Sequence, residues 1–328
     1  MDYFKANKEK LVCLLCGHYC NLKEGQTGLC GVNKNVGEQI ECLVYGYVSA
    51  LNIDPIEKKP LYHFLPRSKS LSLGTVGCNF KCSFCQNWGI SQEKKIDTSN
   101  YFSPKDIVEL ALNNHCKSIS YTYNEPTIFY PYAKDIAMEA KKVGIKNVYV
   151  SNGFESKEVA LDMVGVIDAI NVDLKCFDEK YYKKLGGKLD RVLENLIFFA
   201  KNDIWLEITT LIVPTKNDTK EELTKLATFI KQELGANVPW HISAFHPDYK
   251  EQNLPRTSVK TLKMAYEIGE EVGLNYVYIG NVGFDNHTKC KQCAETLIER
   301  QYFNTLRSCI KKAACPYCQE VLEGVYDD

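Results

Sequence analysis

The chain has 328 residues, a length that suits one large domain with small appendages. With 40 basic and 41 acidic residues its formal charge is −1, so no global field favours nucleic acid or an anionic membrane. No stretch approaches the length of a membrane span and the first residues lack an apolar leader, so we expect a cytoplasmic protein without a membrane partner. The 15 cysteines of such a chain favour metal binding over a disulfide framework.

The first group of cysteines lies in a glycine-rich segment with the spacing C-x2-C-x3-C and a fourth cysteine further on. Its members are Cys13, Cys16, Cys20 and Cys30. Four sulfurs suffice for a tetrahedral structural site, so the sequence favours zinc here. An auxiliary iron–sulfur cluster is the functional alternative, and free buried thiols are the simplest one. Prolines at 55, 60 and 66 predict an extended connector, so we assign residues 1–66 to an N-terminal cysteine knuckle and its connector.

A second group of cysteines follows a strand-like apolar run in the segment LSLGTVGCNFKCSFCQNW, residues 71–88. Cys78, Cys82 and Cys85 have the spacing C-x3-C-x2-C. Three thiolates can hold a [4Fe-4S] cluster and leave one iron open for chemistry. Glycines beside them relax the steric limits on the backbone, so the chain can leave the strand and wrap such a cluster. A zinc site with a distant fourth ligand is the alternative.

From residue 71 to residue 280, short strand-like runs alternate with longer amphipathic segments. The runs start near residues 71, 117, 147, 168, 205, 240 and 275, and helices are predicted from residue 104 and at 130–143, 157–164, 188–201, 219–234 and 258–272. Repeated βα units imply a parallel sheet with right-handed crossovers. A doubly wound sheet would usually carry a G-x-G-x-x-G turn after its first strand, where this chain has cysteines instead. We therefore predict an α/β fold, with a partial (β/α)6-type TIM barrel over residues 67–283.

Polar side chains follow several of these strands, where a barrel collects its active-site loops. They are Asn124 and Glu125, Ser151 and Asn152, Asp173 and Lys175, and His246. A carboxylate or amide after the second strand could hold an ammonium group, and a hydroxyl and amide after the third would suit a ribose. An Asx turn or a salt bridge at a strand end explains some of these residues equally well.

The third group of cysteines lies in residues 284–328, which we assign to a zinc-ribbon-like tail. Two C-x2-C pairs are separated by 21 residues, a spacing typical of zinc ribbons, and their members are Cys290, Cys293, Cys315 and Cys318. Ala294 and Gln319 replace the usual knuckle glycine, so the knuckles could be distorted. The basic and aromatic residues between the pairs could bind RNA or a protein, although a solvated face is the simpler interpretation. They are Arg300, Tyr302, Phe303, Arg307, Lys311 and Lys312.

The cysteine motif of residues 78–85 resembles the signature of radical S-adenosylmethionine (SAM) enzymes. The same motif, with NEP at 124–126, SNGF at 151–154, DLK at 173–175, VPTKND at 213–218 and AFHPDYK at 244–250, recurs in this order in glycyl-radical-enzyme activating enzymes. Together with the first cysteine group, DPIEKKPLYHFLP at 54–66 and YIGNV at 278–282 make the chain most similar to the radical SAM component of the AmmeMemoRadiSam system. This resemblance covers nearly the whole chain.

The resemblance implies roles for the candidate residues. The open iron would chelate the amino and carboxylate groups of SAM, with Phe84 against the adenine and with Asn124 and Glu125 at the amino group. The other polar residues named above would border the same pocket; they are Ser151, Asn152, Asp173, Lys175 and His246. The implied cofactors are a [4Fe-4S] cluster and SAM, beside zinc at the flanking cysteines.

The resemblance also implies an activity. A low-potential flavodoxin or ferredoxin would reduce the cluster, and SAM would be cleaved to a 5′-deoxyadenosyl radical that abstracts hydrogen from an unidentified substrate, which could be RNA, a protein or a metabolite. An activating enzyme for a glycyl-radical enzyme of the pyruvate formate-lyase type is the second interpretation. A zinc and iron–sulfur protein that binds nucleic acid without catalysis is the alternative of another class.

Overall fold

A computed structural model describes residues 2–284 and 286–327; Met1, Asp285 and Asp328, which belong to the predicted terminal segments, lie outside the described residues. The strands are β1 (Phe4–Asn7), β2 (Lys10–Cys13), β3 (Asn21–Leu22), β4 (Asn33–Asn35), β5 (Ile40–Cys42), β6 (Ala50–Pro55), β7 (Lys69–Gly74), β8 (Ser118–Tyr121), β9 (Lys146–Ser151), β10 (Ala169–Asp173), β11 (Trp205–Ile212), β12 (Trp240–Ala244), β13 (Val277–Gly280), β14 (Thr288–Lys289), β15 (Thr296–Gln301) and β16 (Asn304–Ser308). The helices are α1 (Trp88–Ser91), α2 (Pro104–Asn113), α3 (Tyr130–Lys142), α4 (Lys157–Met163), α5 (Glu179–Leu185), α6 (Leu189–Ala200), α7 (Lys220–Phe229) and α8 (Val259–Val272). None of these helices has the length and apolar character needed to cross a membrane.

The centre of the molecule is an eight-stranded sheet in the order β13-β12-β11-β10-β9-β8-β7-β6. The strands from β7 to β13 are parallel, and β6 runs antiparallel to β7. Each strand pairs with the next one along the chain, so β6 and β13 are the two edges of an open barrel. The predicted partial barrel is therefore confirmed, and each predicted strand starts within two residues of its observed start. Loops that follow the parallel strands meet at one face.

The helices begin where the sequence supplies caps. At the start of α2, Ser103 Oγ accepts a hydrogen bond from Asp106 N (3.3 Å), and the Asp106 carboxylate accepts one from Ser103 N (2.7 Å), which completes a capping box. The helix predicted for residues 219–234 consists of α7 and a π turn, Ile230–Leu234. Short α5 is an addition to the predicted helices; it lies in the loop after β10 and is capped by Asp178.

The N-terminal segment forms two small sheets before it joins the barrel. One contains β1, β2 and β3, and the other is the hairpin of β4 and β5. Because β6 already belongs to the main sheet, the barrel begins within the segment that the sequence assigns to the N-terminal knuckle and connector. After β6, a 3-10 turn at Ile56–Lys58 leads into a connector that Glu207 of β11 holds in place. The Glu207 carboxylate accepts hydrogen bonds from Tyr62 N (3.0 Å) and His63 N (2.8 Å).

The tail strands β14, β15 and β16 form an antiparallel sheet that packs on this connector. Arg300 of β15 is 0% exposed. Its guanidinium donates to Tyr62 O (2.6 Å) and Thr288 Oγ1 (2.7 Å), and it lies 4.4 Å from the centre of the Tyr62 ring. Arg300 therefore cannot belong to a surface that binds RNA or a protein, because its guanidinium is buried and hydrogen-bonded inside the molecule. Arg307, by contrast, is exposed and pairs with Glu299 at 3.6 Å.

Candidate active site

The cysteine loop, residues 78–85, starts just beyond the end of β7 and is held by a side chain from the loop after β8. Asn124 accepts a hydrogen bond from Thr75 N (3.3 Å) and donates to Thr75 Oγ1 (3.1 Å) and Gly77 O (2.9 Å). Gly77 has a φ of +90°, and a Cβ at this position would lie 2.6 Å from the carbonyl oxygen of Cys30. The Asn124 amide therefore holds the start of the cysteine loop in place. Its hydrogen bonds are made within the protein.

Two buried carboxylates flank one serine hydroxyl next to this loop. Ser151 Oγ lies 2.9 Å from Glu125 Oε1 and 2.6 Å from Glu155 Oε1. Glu125 Oε2 also accepts a hydrogen bond from Asn152 N (2.8 Å). Burial and the neighbouring charge of Glu155 raise the pKa of Glu125 to about 7, and burial raises the pKa of Glu155 as well. A cation beside Glu125 would offset the repulsion between the two carboxylates. Glu155 is an addition to the predicted site.

Asp173, the last residue of β10, and Lys175, which follows it, form an ion pair. Lys175 Nζ lies 2.9 Å from Asp173 Oδ2. Burial disfavours the charged form of Lys175, but the Asp173 carboxylate together with the nearby Cys82 and Tyr182 outweighs it and raises the pKa of the lysine. Burial also raises the pKa of the Cys82 thiol, to about 11, although the charge of Lys175 opposes this shift. Lys175 therefore places an ammonium group beside the cysteine loop, with Asp173 as its counter-charge.

Strands β11 and β12 contribute a second polar group, which is not among the predicted residues. His241 Nε2 lies 2.6 Å from Glu207 Oε2, and Trp205 Nε1 donates to Glu207 Oε1 (2.9 Å). Burial acts against the ionised form of Glu207, yet the hydrogen bond from His241 holds the pKa of this carboxyl below its usual value. The buried Thr209 hydroxyl has no hydrogen-bond partner within the described part of the chain. An acid inside the apolar run of β11 is the signal that could have indicated this group.

A cavity of about 290 Å³ joins these groups. The predicted residues that line it are Cys78, Cys82, Cys85, Phe84, Asn124, Glu125, Ser151, Asn152, Asp173 and Lys175. His241, Thr209 and the tail residue Phe303 line it as well. His246 differs from the expectation, since it is exposed and does not line the cavity. The reason is that the preceding Phe245 is buried in the core, and alternation along the extended chain turns the next side chain outward.

The four tail cysteines gather their sulfurs at one point. Sγ atoms of Cys290 and Cys318 are 3.6 Å apart, those of Cys293 and Cys315 are 3.7 Å apart, and all four lie within 4.8 Å of one another. Zinc bound by four thiolates at about 2.3 Å places the sulfurs about 3.8 Å from each other. The tail therefore has the geometry of a tetrahedral zinc site.

Comparison with known proteins identifies the family. The Radical SAM superfamily matches residues 72–230, from β7 to the π turn after α7. An uncharacterized protein of Methanocaldococcus jannaschii is 41% identical over 331 residues, which cover 99% of this chain and 98% of that protein. The chain belongs to the radical SAM superfamily. It is accordingly a SAM-dependent enzyme.

Two further comparisons place this radical SAM enzyme among its relatives. The pyruvate formate-lyase-activating enzyme of Clostridium pasteurianum is 24% identical over 161 residues, which cover 47% of this chain and 66% of that enzyme. A radical SAM methyltransferase from Sphaerobacter thermophilus has a crystal structure that matches with a TM-score of 0.52 and 12% identity, covering 67% of this chain and 68% of that chain. The structural likeness confirms the radical SAM fold.

The cysteine loop fits the [4Fe-4S] cluster that the radical SAM family implies. Its three thiols line one cavity, and Phe80 N donates to Cys78 Sγ (3.4 Å). Burial, with the nearby charge of Glu125, raises the pKa of the Cys78 thiol well above its usual value, and a bound cation such as iron would favour the thiolate. Among the described residues, only the tail sulfurs gather as closely as a single zinc ion requires. The wider arrangement of the loop suits thiolates bound to different irons.

Proposed function

We propose that this radical SAM enzyme reductively cleaves SAM and abstracts a hydrogen atom from a substrate bound in the cavity, in line with its resemblance to the AmmeMemoRadiSam system. The supporting observation is one cavity with the cysteine loop on one wall and His241, which Glu207 holds from behind, on another. A [4Fe-4S] cluster, when bound and reduced by a flavodoxin or ferredoxin, supplies the electron that splits SAM into methionine and a 5′-deoxyadenosyl radical.

The wall near the cysteine loop would bind SAM. Cys78, Cys82 and Cys85 would hold the cluster, and buried Phe84 would pack against the adenine. Glu125 would accept the ammonium group of SAM through a charge-assisted hydrogen bond, because its raised pKa reports a buried carboxyl in need of a positive partner. A proton on Glu125 would leave when the ammonium arrives.

The wall formed by β11 and β12 would bind the substrate. Thr209 offers a buried hydroxyl without a partner in the described chain. His241 is held by Glu207 through Nε2, which leaves Nδ1 to exchange a hydrogen bond or a proton with a bound molecule. Phe303 closes part of this wall and so favours a small molecule or a short segment over a bulky chain.

The activity itself is tested with anaerobically reconstituted protein. With dithionite and SAM, it should release 5′-deoxyadenosine, measured by liquid chromatography. Cys82→Ala should abolish the release together with the absorbance of the cluster, because the cluster loses one of three ligands. Cys116→Ala, which removes a buried thiol outside the cavity, is the matched control and should retain both. Wild-type protein that binds no iron, or that cleaves no SAM, would favour the non-catalytic zinc and nucleic-acid-binding interpretation instead.

The similarity to a pyruvate formate-lyase-activating enzyme favours a second candidate function, the activation of a glycyl-radical enzyme. In that case the substrate would be a glycine loop of a large partner protein. The two candidates share every step up to the radical and differ only in what enters the cavity.

A further inference from the structure

The first cysteine group packs directly against the cysteine loop. The carbonyl oxygen of Cys30 lies 2.6 Å from the position that a Cβ on Gly77 would take, one residue before Cys78. On the other side of Cys78, the carbonyl oxygen of Asn79 lies 2.9 Å from Nε2 of His18. The two groups of cysteines are thus in contact on both sides of Cys78, through the Cys30 backbone on one side and the His18 side chain on the other.

The distances between sulfur atoms distinguish the first group of cysteines from the tail cysteines. The tail sulfurs meet within 4.8 Å, as one zinc ion requires, whereas the part of the chain that the structure describes contains no second set this compact. The thiols of the first group are nevertheless neighbours. A Cβ on Gly28 would lie 3.6 Å from Cys20 Sγ and 3.7 Å from Cys30 Sγ, so both sulfurs face the same glycine. Among the described residues, the four thiols of the first group are therefore less tightly gathered than those of the tail, as expected where each sulfur binds a different iron.

The surroundings of these four thiols suit an inorganic cluster. Cys13 and Cys16 are buried, and Cys20 and Cys30 are half-buried toward the surface. Asn33 is 2% exposed and donates from Nδ2 to Cys30 Sγ (3.4 Å). Hydrogen bonds to sulfur are one means by which proteins tune iron–sulfur clusters.

We propose that Cys13, Cys16, Cys20 and Cys30 hold a second iron–sulfur cluster of the [4Fe-4S] class, in place of the zinc that their sequence spacing favours. Four cysteines leave no iron open, so this cluster would transfer electrons and would not bind SAM. One electron from a reduced flavodoxin or ferredoxin would enter the second cluster near the surface. The same electron would then pass to the cluster on the cysteine loop, which returns the second cluster to its oxidised state. The inference does not depend on the substrate of the proposed function.

The test uses the full chain with the cysteine loop disabled, as the triple variant Cys78→Ala, Cys82→Ala and Cys85→Ala. After anaerobic reconstitution it should contain about four iron and about four sulfide per chain. Reduction with dithionite should give an electron paramagnetic resonance signal that added SAM leaves unchanged. Adding Cys16→Ala and Cys30→Ala should remove iron and signal together. Adding Cys116→Ala instead, the matched control, should leave both in place.

A triple variant that binds zinc and no iron at the first group, or that leaves these thiols free, overturns the proposal. Zinc at the tail and circular dichroism show whether each variant has folded. Wild-type iron provides a measurement that needs no variant: about eight iron per chain is expected, and about four would overturn the second cluster. Because none of these measurements uses SAM cleavage, the second cluster and the proposed function can fail independently.

Discussion

At the scale of single residues, Glu125 combines a structural cost with a proposed role in binding. Without SAM, its pKa is raised above the usual value, so the folded protein holds a proton that the unfolded chain releases. Stability from this group is therefore fully present below about pH 4.5 and is lost as the pH rises to about 7, a change of up to about 3 kcal/mol. A ligand with a positive charge would recover this free energy.

Glu125→Gln removes the ionisation and keeps the shape. The free variant should be about 1–3 kcal/mol more stable than the wild type near pH 8 and nearly equal to it near pH 5, as measured by urea unfolding. Its affinity for SAM, measured by calorimetry on reconstituted protein, should fall about tenfold or more, since the ammonium loses its charged partner. Glu267→Gln, on the exposed face of α8, should change neither quantity. If the free energy of unfolding of Glu125→Gln and that of the wild type changed equally with pH, the raised pKa of Glu125 would be contradicted.

The site residues that can be predicted are those indicated by a pattern of neighbouring residues in the sequence. Asp173 and Lys175, for example, stand at the end of a strand that its own apolar pattern reveals. Glu207 and His241 are not predicted, because they lie in separate strands and become a pair only when β11 and β12 align. Asn124 is in the predicted place, but its amide braces the cysteine loop, a contact with a neighbouring loop that spacing alone does not reveal.

At the scale of elements, the tail knuckles form without glycine. Ala294 and Gln319 adopt φ values of +61° and +63°, and their N–H groups donate to Cys290 O (2.9 Å) and Cys315 O (3.0 Å). The two turns are therefore alike, whereas the sequence suggests distortion. Such left-handed residues cost about 1–2 kcal/mol each, a cost that metal binding by the four thiols would offset.

Cys293→Ala should therefore lower both zinc content and thermal stability, because a tetrahedral zinc site contributes folding free energy. Iron on the cysteine loop should stay bound, as measured by elemental analysis of the reconstituted variant. Ala294→Gly is the matched control, since it keeps all four thiols and relieves a left-handed φ; it should retain zinc and melt no lower than the wild type. Loss of iron with unchanged zinc in Cys293→Ala would mean that the tail binds an iron–sulfur cluster.

At the scale of the whole molecule, the tail bridges the two edges of the open barrel, because Thr305 Oγ1 donates to Glu57 just after β6 (2.6 Å) and Thr288 Oγ1 lies 2.8 Å from the Tyr278 hydroxyl of β13. Glu207 fixes the backbone of the connector, Arg300 fixes the tail to Tyr62, and Leu65 N donates to Val325 O (2.7 Å). These contacts join positions far apart in the sequence, and a buried arginine runs against the usual distribution of its type. Local periodicity predicts the order of strands and helices, but it cannot predict this closure.

The closed side leads us to expect no stable glycyl radical on a formate-lyase-type partner. Phe303 lines the cavity, so a glycine loop of a folded partner would have to displace the tail. Electron paramagnetic resonance on the reduced enzyme with SAM and such a partner measures the outcome. A doublet glycyl signal would establish the activating-enzyme function, whereas deoxyadenosine release that depends on added RNA or a metabolite would support a different substrate.

The position of the tail also sets the order in which the molecule can be built. Domains made on the ribosome begin to fold from the N-terminal end. Both iron-binding candidates, residues 13–30 and the cysteine loop, leave the ribosome long before β14, β15 and β16. The barrel therefore remains open at its side throughout most of its synthesis, which gives the machinery that delivers iron and sulfide access to the cavity. Zinc at the proposed tail site would close that route last.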